Sequence, residues 1–321
     1  MQELTKEYIE KVNRERKINP FIGCYGIKYL DDCLIGIHKE DFVLIGAETG
    51  HGKTELAIEL AFKNAEKGMK VHYFGLESDE DETMKRKLYK LIASAYYGDY
   101  EAARQDFNYR KYVAGELETE KYELSAMGKL AGFAGNLFIH SREKGVFNVN
   151  TLTQIIGDIK DQCGLIVLDH LDYFDLDTNE NENRQMTEIM KTLRNINATQ
   201  RIPLVVISHL RKKERGQMFP TIDDFMGSSN KPKIAKTVIL LAREYEGFNQ
   251  TDKLFPTLCQ VVKSRLGGSS YLGARLYFDI TLNGYLDNYA LVKIKNGGNK
   301  IEELEKEYYP SWATKFEVGV F

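Results

Sequence analysis

Two patterns of hydrophobic and polar positions alternate along most of the chain. The apolar runs FVLIG and VHYFGLE predict strands. The segments 55–67 and 82–96, which follow these runs, carry apolar residues at helical spacing and predict helices. Strands that alternate with helices in this way are typical of βαβ units and of a mainly parallel sheet.

The rest of the chain continues the pattern. The runs NLFIH, LIVLD and PLVVIS predict strands, and helices are expected at 151–162 and 183–200. Further strands are expected at 237–242, 259–264 and 273–279. Continuous apolar runs suit central strands that are covered on both faces. The sequence therefore predicts an α/β fold whose mainly parallel central sheet is flanked by helices.

Three segments lie outside this core. Residues 1–19 form an amphipathic pattern that predicts a short helix, either frayed on its own domain or docked on a neighbouring subunit. The charged and aromatic stretch 97–135 predicts a helical insertion, and the chain becomes polar after it reaches Asn288. We therefore expect a linker helix at 1–22, a core domain at 23–287 and a C-terminal extension at 288–321.

The composition narrows the class of protein. The chain has 321 residues, 43% of them hydrophobic, which is enough for one large core. A net charge of -3 gives no overall attraction to nucleic acid, so any DNA contact must come from a local basic surface. The four cysteines are scattered and indicate neither zinc nor disulfides. Without a leader pattern or a membrane span of about 20 apolar residues, we expect a cytoplasmic protein with no membrane partner.

A phosphate-binding loop is the clearest chemical motif. The segment GAETGHGKT at 46–54 contains A-x-x-x-x-G-K-T directly after a predicted strand and before a predicted helix. We expect its residues to bind ATP, namely Ala47, Gly50, His51, Gly52, Lys53 and Thr54. Lys53 would bridge the outer phosphates, and the Thr54 hydroxyl would bind Mg²⁺. An ordinary strand–helix turn is the alternative.

Two acidic residues end strands of the predicted sheet and should lie on the same edge of it. Asp169 ends LIVLD, where a carboxylate at the carboxyl edge of a parallel sheet can hold Mg²⁺ beside the phosphate-binding loop. Glu77 ends YFGLE and could deprotonate the attacking water as a general base. Asp169 could instead be only a helix cap or a loop residue.

The order and spacing of five segments resemble a known family. GAETGHGKT, YFGLES with the following MKRKL, LIVLDHLDYF, VVISHLRKK and VVKSRLGG together resemble the ATPase domain of DnaB-like superfamily 4 replicative helicases. The likeness covers about 23–287 and is strongest to the phage helicase-primase and Twinkle branch. It implies a RecA-like core that hydrolyses ATP, assembles into a ring, most often a hexamer, and moves along single-stranded DNA.

The resemblance also implies roles for individual residues. His209 matches a polar sensor of the terminal phosphate, although alone it could be a loop histidine. Lys263 and Arg265 match paired cations that reach a neighbouring subunit's site, with Arg265 as the arginine finger; otherwise they are exposed strand charges. Arg243 and Phe278 match residues that sandwich the base, although a buried Phe278 needs no ligand to explain it.

A basic segment is the candidate DNA-binding surface. Its cations surround the turn-forming residues 227–230, and the candidates are Arg211, Lys212, Lys213, Lys231 and Lys233. Flexible amides and nearby cations suit the phosphates of single-stranded DNA, whereas a solvated basic loop is the alternative. Where the family usually has a glutamine, this chain has Pro232 and Lys233, which puts the coupling of nucleotide state to DNA in doubt.

Other functions remain open at this point. A DNA-dependent RecA-family ATPase of recombinase or signalling type would carry the same motifs without unwinding DNA. A small-molecule phosphotransferase is a further alternative, with 97–135 as its lid. Because the chain carries no primase module, we expect either that a separate primase or helicase loader is its partner, or that it translocates on DNA without being the main replicative helicase. If a phage encodes the protein, its compartment is the cytoplasm of the bacterial host.

Overall fold

The computed structural model describes residues 5–15, 21–77, 80–98, 107–142, 146–212, 217–244, 253–265 and 272–313. The helices are α1 Lys6–Glu15, α2 Lys28–Leu34, α3 Lys53–Glu66, α4 Glu80–Tyr97, α5 Tyr109–Val113, α6 Glu120–Ala131, α7 Val149–Ile159, α8 Glu182–Gln200 and α9 Lys231–Ile234. The strands are β1 Phe21–Gly23, β2 Ile37–His38, β3 Phe42–Ala47, β4 Val71–Gly75, β5 Leu137–Ser141, β6 Leu165–Asp169, β7 Leu204–His209, β8 Thr237–Arg243, β9 Leu254–Ser264, β10 Leu272–Asp279, β11 Gly284–Lys295 and β12 Lys300–Glu303.

Among these residues one ten-stranded sheet organises the fold. Its order is β12-β11-β10-β9-β8-β3-β7-β6-β4-β5. The six strands from β8 to β5 are parallel, whereas β9 to β12 extend the sheet in antiparallel pairs. This sheet confirms the predicted α/β class with a mainly parallel centre.

Helices cover both faces of the parallel strands. Every residue of β3, β4 and β6 is buried, because apolar clusters lie on either side of them. One cluster contains Leu56 and Phe62 of α3, and the other contains Met190 and Leu193 of α8. The carboxyl ends of β3, β4, β6 and β7 therefore meet along one edge, where doubly wound sheets bind ligands.

The structure corrects the predicted C-terminal boundary. Strand β11 runs without a break across residues 287 and 288 and pairs with β10 and β12. Residues 288–295 and 300–303 are therefore part of the sheet rather than of an extension outside the core. The periodicity of β11 is hard to read because exposed polar residues occupy its middle, where burial is lost.

The segment 97–135 contains α5 and α6, which pack on α4 through an aromatic cluster. The cluster contains Tyr89 and Tyr96 of α4 together with Phe107 and Tyr122. This aromatic cluster is separate from the two clusters that cover the sheet. We therefore propose that 97–135 is a helical insertion. Within the described residues, none of the helices combines the length and apolar character that crossing a bilayer requires.

Candidate active site

The loop between β3 and α3 has the backbone of a phosphate-binding loop. Gly50 and Gly52 have positive φ angles of 79° and 80°, which residues with a Cβ rarely adopt. A Cβ at Gly52 would also collide with the hydroxyl of Tyr285. Gly52 caps the N-terminus of the 14-residue α3, so that the positive end of the helix dipole faces the loop.

Lys53 and Thr54 begin α3 and point towards two carboxylates. Lys53 is 4% exposed, and its Nζ lies 4.0 Å from Oε2 of Glu77. The Thr54 hydroxyl lies near enough to Asp169 to lower the pKa of its carboxyl, so the two predicted Mg²⁺ ligands are adjacent. A buried ammonium has to find anionic partners, and the phosphates of a nucleotide would supply them.

The environment of the Asp169 carboxylate suits the binding of a cation. Asp169 is 2% exposed, and its Oδ2 accepts a hydrogen bond of 2.9 Å from the hydroxyl of Tyr73. Among the described residues its Oδ1 has no hydrogen-bond partner. Burial raises the pKa of this carboxyl, and the nearby His170 partly offsets that effect. An orphaned carboxylate oxygen beside a threonine hydroxyl fits the oxygen ligands that Mg²⁺ prefers.

Glu77 lies just beyond β4 and keeps its carboxylate accessible. Its side chain is 39% exposed, and its Oε2 lies 3.4 Å from Nε2 of His170. The ring of His170 is buried and packs edge-on against His209, with 4.0 Å between the ring centroids. A carboxylate that is held from one side and open on the other can accept a proton from water.

His209 ends β7 and faces the phosphate-binding loop. Its Nδ1 lies 3.4 Å from the hydroxyl of Thr49, and its backbone N–H donates to Oδ2 of Asp172 over 2.7 Å. Burial lowers the pKa of His209 to about 4, and the charges of His170 and Lys53 act in the same direction. The imidazole is therefore neutral at physiological pH and can donate or accept a hydrogen bond.

A cavity of about 490 Å³ extends from the phosphate-binding loop to β8 and β10. Arg243 and Phe278 line it together with Lys53 and Glu77. The Arg243 guanidinium lies 4.7 Å from the ring centroid of Phe255, and its backbone N–H donates to Nδ1 of His51 over 3.3 Å. The residues predicted to sandwich a base therefore share one cavity with the residues predicted to bind phosphate.

Comparison with known proteins decides the family. The family model described as "DnaB-like helicase C terminal domain" matches residues 24–283. The chain belongs to this family. The DnaB-like chain is 23% identical over 269 residues to the "Probable plasmid replicative DNA helicase" of Chlamydia trachomatis serovar L2, covering 81% of this chain and 54% of that protein. It thus spans about half the length of the curated relatives it matches.

Solved structures give the same fold for the DnaB-like chain. One solved ATPase domain superposes with a TM-score of 0.71 at 20% identity, covering 89% of this chain and all of that one. A second structure is titled "The Structure Of A DnaB-Like Replicative Helicase And Its Interactions With Primase". Its TM-score is 0.67 at 20% identity, with 89% of this chain and 67% of that chain covered. These likenesses confirm the predicted RecA-like core.

The two cations at the end of β9 do not behave alike in this DnaB-like domain. The Nζ of Lys263 donates to the backbone carbonyls of Pro232 (2.8 Å), Lys233 (3.0 Å) and Ala235 (2.7 Å). Lys263 therefore binds carbonyls at the end of α9 in its own subunit, and its contact with a neighbour's nucleotide stays a prediction. Arg265 follows the strand and is exposed, so it remains the candidate finger.

The structure also divides the predicted DNA-binding cations. Arg211, Lys212 and Lys233 are exposed, whereas Lys213 lies outside the described residues. Lys231 is fully buried, and its Nζ donates to Oδ1 of Asp172 over 2.6 Å. The structure contradicts its predicted role as a phosphate contact, because the ammonium turns inward to the acceptors that the core provides.

Sequence reasoning missed three residues around the site. Arg86 lines the cavity and pairs with Glu55, with 2.5 Å between Nη1 and Oε1. It stands in the MKRKL segment of the resemblance, which was the available signal. His170 and Asp172 stand in LIVLDHLDYF, but nothing in that run shows that they reach different partners.

Proposed function

We propose that this protein hydrolyses ATP and uses the energy to move as a ring along single-stranded DNA, unwinding duplex during replication, in a phage or plasmid setting. The observation that carries the proposal is the meeting of Lys53, Glu77 and Asp169 at one sheet edge. Membership of the DnaB-like family and the replicative helicase named among the relatives support it.

Each residue of the site has its own role in ATP hydrolysis. Lys53 and the amides of the loop hold the outer phosphates, and Glu77 takes a proton from water as the water oxygen attacks the terminal phosphorus. The bond from that phosphorus to the oxygen of ADP then breaks. Thr54 and Asp169 would hold Mg²⁺, which would neutralise part of the charge on the phosphates. His209 senses the terminal phosphate from β7.

The remaining roles concern the base and the neighbouring subunit. Arg243 and Phe278 hold the base between a cation and a ring in the shared cavity. Arg265 is exposed and stabilises the transition-state charge on a nucleotide bound by the next subunit, so that a closed ring, a hexamer in our proposal, is needed for turnover. A separate primase or helicase loader would act in the same compartment, the cytoplasm.

One alternative is supported by a specific observation. Because Lys231 is buried, the loop at 227–230 presents fewer cations than the sequence suggests. Fewer cations give weaker binding to DNA phosphates. Weaker binding favours a DNA-dependent ATPase of recombinase or signalling type. A phosphotransferase would need an acceptor pocket and would not respond to DNA.

Three measurements on the same protein separate these functions. We expect ATP hydrolysis to rise when single-stranded DNA is added, a forked duplex to be unwound, and the particle to be a ring in the presence of nucleotide. Lys53→Ala is the inactive control. Stimulation without unwinding, with filaments instead of rings, would support the recombinase class. Hydrolysis indifferent to DNA would overturn the helicase proposal.

A further inference from the structure

A single carboxylate joins the catalytic edge of the sheet to the candidate DNA loop. Asp172 follows β6, and its Oδ1 accepts the hydrogen bond of 2.6 Å from Nζ of Lys231. Its Oδ2 accepts the backbone N–H of His209 over 2.7 Å and lies 3.4 Å from Nδ1 of His170. Although burial opposes ionisation, His170 and Lys231 hold the pKa of Asp172 well below its ordinary value. The carboxylate is therefore charged and has partners on α9, on β7 and in its own loop.

The loop side of this arrangement is fixed by Lys231. This residue begins α9 and directly follows the loop at 227–230. Its ammonium also donates to the hydroxyl of Ser208 over 3.0 Å, and the whole side chain is buried. A buried ammonium without a partner is strongly unfavourable, so the loop cannot move away without breaking the pair or carrying Asp172 with it.

The catalytic side is fixed by His170. Its imidazole lies between two carboxylates, with Nδ1 3.4 Å from Asp172 and Nε2 3.4 Å from Glu77. The ring of His209 packs against it, and His209 in turn approaches Thr49 of the phosphate-binding loop. A displacement of Asp172 therefore changes the support of both the proposed base and the proposed sensor.

Helix α9 also contacts β9, the strand that precedes the candidate arginine finger. The carbonyls of α9 and Ala235 hold the ammonium of Lys263, two residues before Arg265. Helix α9 is consequently tied to the catalytic edge by Lys231 and to β9 by its carbonyls. Movement of the loop would therefore affect both the catalytic edge and β9.

We propose that the Lys231–Asp172 ion pair is a positioning device that transmits movement of the loop at 227–230 to Glu77 and His209, and so makes ATP hydrolysis depend on DNA. The inference rests on the proposed function, since it takes the loop to be the part that meets DNA. It gives this chain a physical link where Pro232 and Lys233 had put the coupling in doubt. Lys231 and Asp172 act through other residues and contact no nucleotide.

The test must separate coupling from folding. Lys231→Met alone would leave Asp172 as an uncompensated charge and can unfold the protein. The double variant Lys231→Met with Asp172→Asn removes both charges, and its amide oxygen can still accept the His209 N–H. We expect the double variant to melt close to the wild type. Lys300→Met, which removes an exposed cation from the far edge strand β12, is the matched control.

The measurement is the ratio of kcat with saturating oligo(dT) to kcat without it, together with KM for ATP and the affinity for fluorescent oligo(dT). In the double variant we expect the ratio to fall on the order of tenfold, with KM and DNA affinity unchanged. Lys300→Met should keep the wild-type ratio. A double variant with the wild-type ratio overturns the coupling, and so does one whose loss is only of DNA affinity. A wild type that DNA does not stimulate overturns the proposed function itself, and the coupling with it.

Discussion

The hydroxyl of Tyr73 and Oδ2 of Asp169 are 2.9 Å apart on neighbouring parallel strands. Tyr73 pairs with Val167 in the register of β4 and β6, and Asp169 pairs with Gly75 one pleat further along. Both side chains are therefore on the same face of the sheet. The hydrogen bond fixes Oδ2 of the carboxylate, whereas Oδ1 has no hydrogen-bond partner among the described residues.

Replacing Tyr73 by Phe should destabilise the protein and weaken its use of Mg²⁺. The buried Asp169 loses a donor, which costs about 1–3 kcal/mol of unfolding free energy. With the carboxylate less constrained, half-maximal ATP hydrolysis should need more Mg²⁺. Urea unfolding and a Mg²⁺ titration measure the two effects.

Tyr97→Phe is the matched control for that experiment. The Tyr97 hydroxyl is buried and has no hydrogen-bond partner among the described residues, so its removal should not lower stability. Equal losses in both variants would show that the Tyr73 bond has no special part in holding Asp169.

Glu77→Gln should bind ATP normally and lose turnover. The amide keeps the shape of the side chain but cannot accept the proton of the attacking water, so kcat should fall by roughly 10²- to 10⁴-fold. Nucleotide affinity and single-turnover rates measure the two properties. Glu80→Gln, at the exposed start of α4, should hydrolyse ATP like the wild type. If Glu77→Gln is equally active, another group must serve as the base.

The sequence predicts a feature well when the residues that determine it lie close together along the chain. The phosphate-binding loop, Glu77 and Asp169 could be predicted because strand ends and a short glycine motif set their positions. Lys231 and Asp172 are 59 residues apart, and nothing near either residue shows that they meet. The same holds for Lys263, which lies about 30 residues from the carbonyls it binds. A charged residue next to a turn is usually exposed, so the local pattern favoured the wrong environment for both lysines.

The neutral His209 should make stability depend on pH. Its pKa in the folded protein is about 4, below the ordinary 6.5, so between these values the unfolded chain binds a proton that the folded protein does not. Stability should therefore fall as the pH is lowered from 6.5 towards 4. Urea unfolding at pH 7 and pH 5 should give a smaller difference for His209→Gln than for the wild type.

His72 should supply part of the pH dependence that remains in that variant. Burial lowers its pKa to about 4 as well, so its contribution has the same sign and the same pH window. An identical pH dependence in His209→Gln and in the wild type would mean that His209 titrates normally in the folded protein.

Neutralising Arg211, Lys212 and Lys233 should weaken the binding of single-stranded DNA without regard to its sequence. These exposed cations are placed to meet backbone phosphates, and the slope of log affinity against log salt should fall by roughly 0.7 for each phosphate that is no longer neutralised. Fluorescence anisotropy over a salt series measures both quantities. Lys300→Met, on the far edge strand β12, is the control and should bind like the wild type. Unchanged affinity in the triple variant would place the DNA site elsewhere.

Arg265→Ala should bind nucleotide nearly normally and lose hydrolysis by roughly a thousandfold or more, because an arginine finger acts on transition-state charge. The exposed position of Arg265 after β9 leaves it free of the α9 carbonyls that hold Lys263. Equilibrium binding of a fluorescent ATP analogue and steady-state hydrolysis measure the two effects. Lys263→Met should behave differently, since it would disturb α9 within its own subunit.

Mixing two inactive variants tests whether Arg265 acts between subunits. Lys53→Ala lacks a working phosphate-binding loop but keeps its finger, and Arg265→Ala has the opposite defect. A mixed ring contains some interfaces that pair an intact loop with an intact finger, so activity should partly return on mixing. The proportion of recovered activity should follow the mixing ratio and vanish when either variant is alone. If the two variants co-assemble and no activity returns, the finger acts within its own subunit or every site must be intact. A fully active monomer would refute action between subunits, because the exposed guanidinium would then have no second nucleotide to reach.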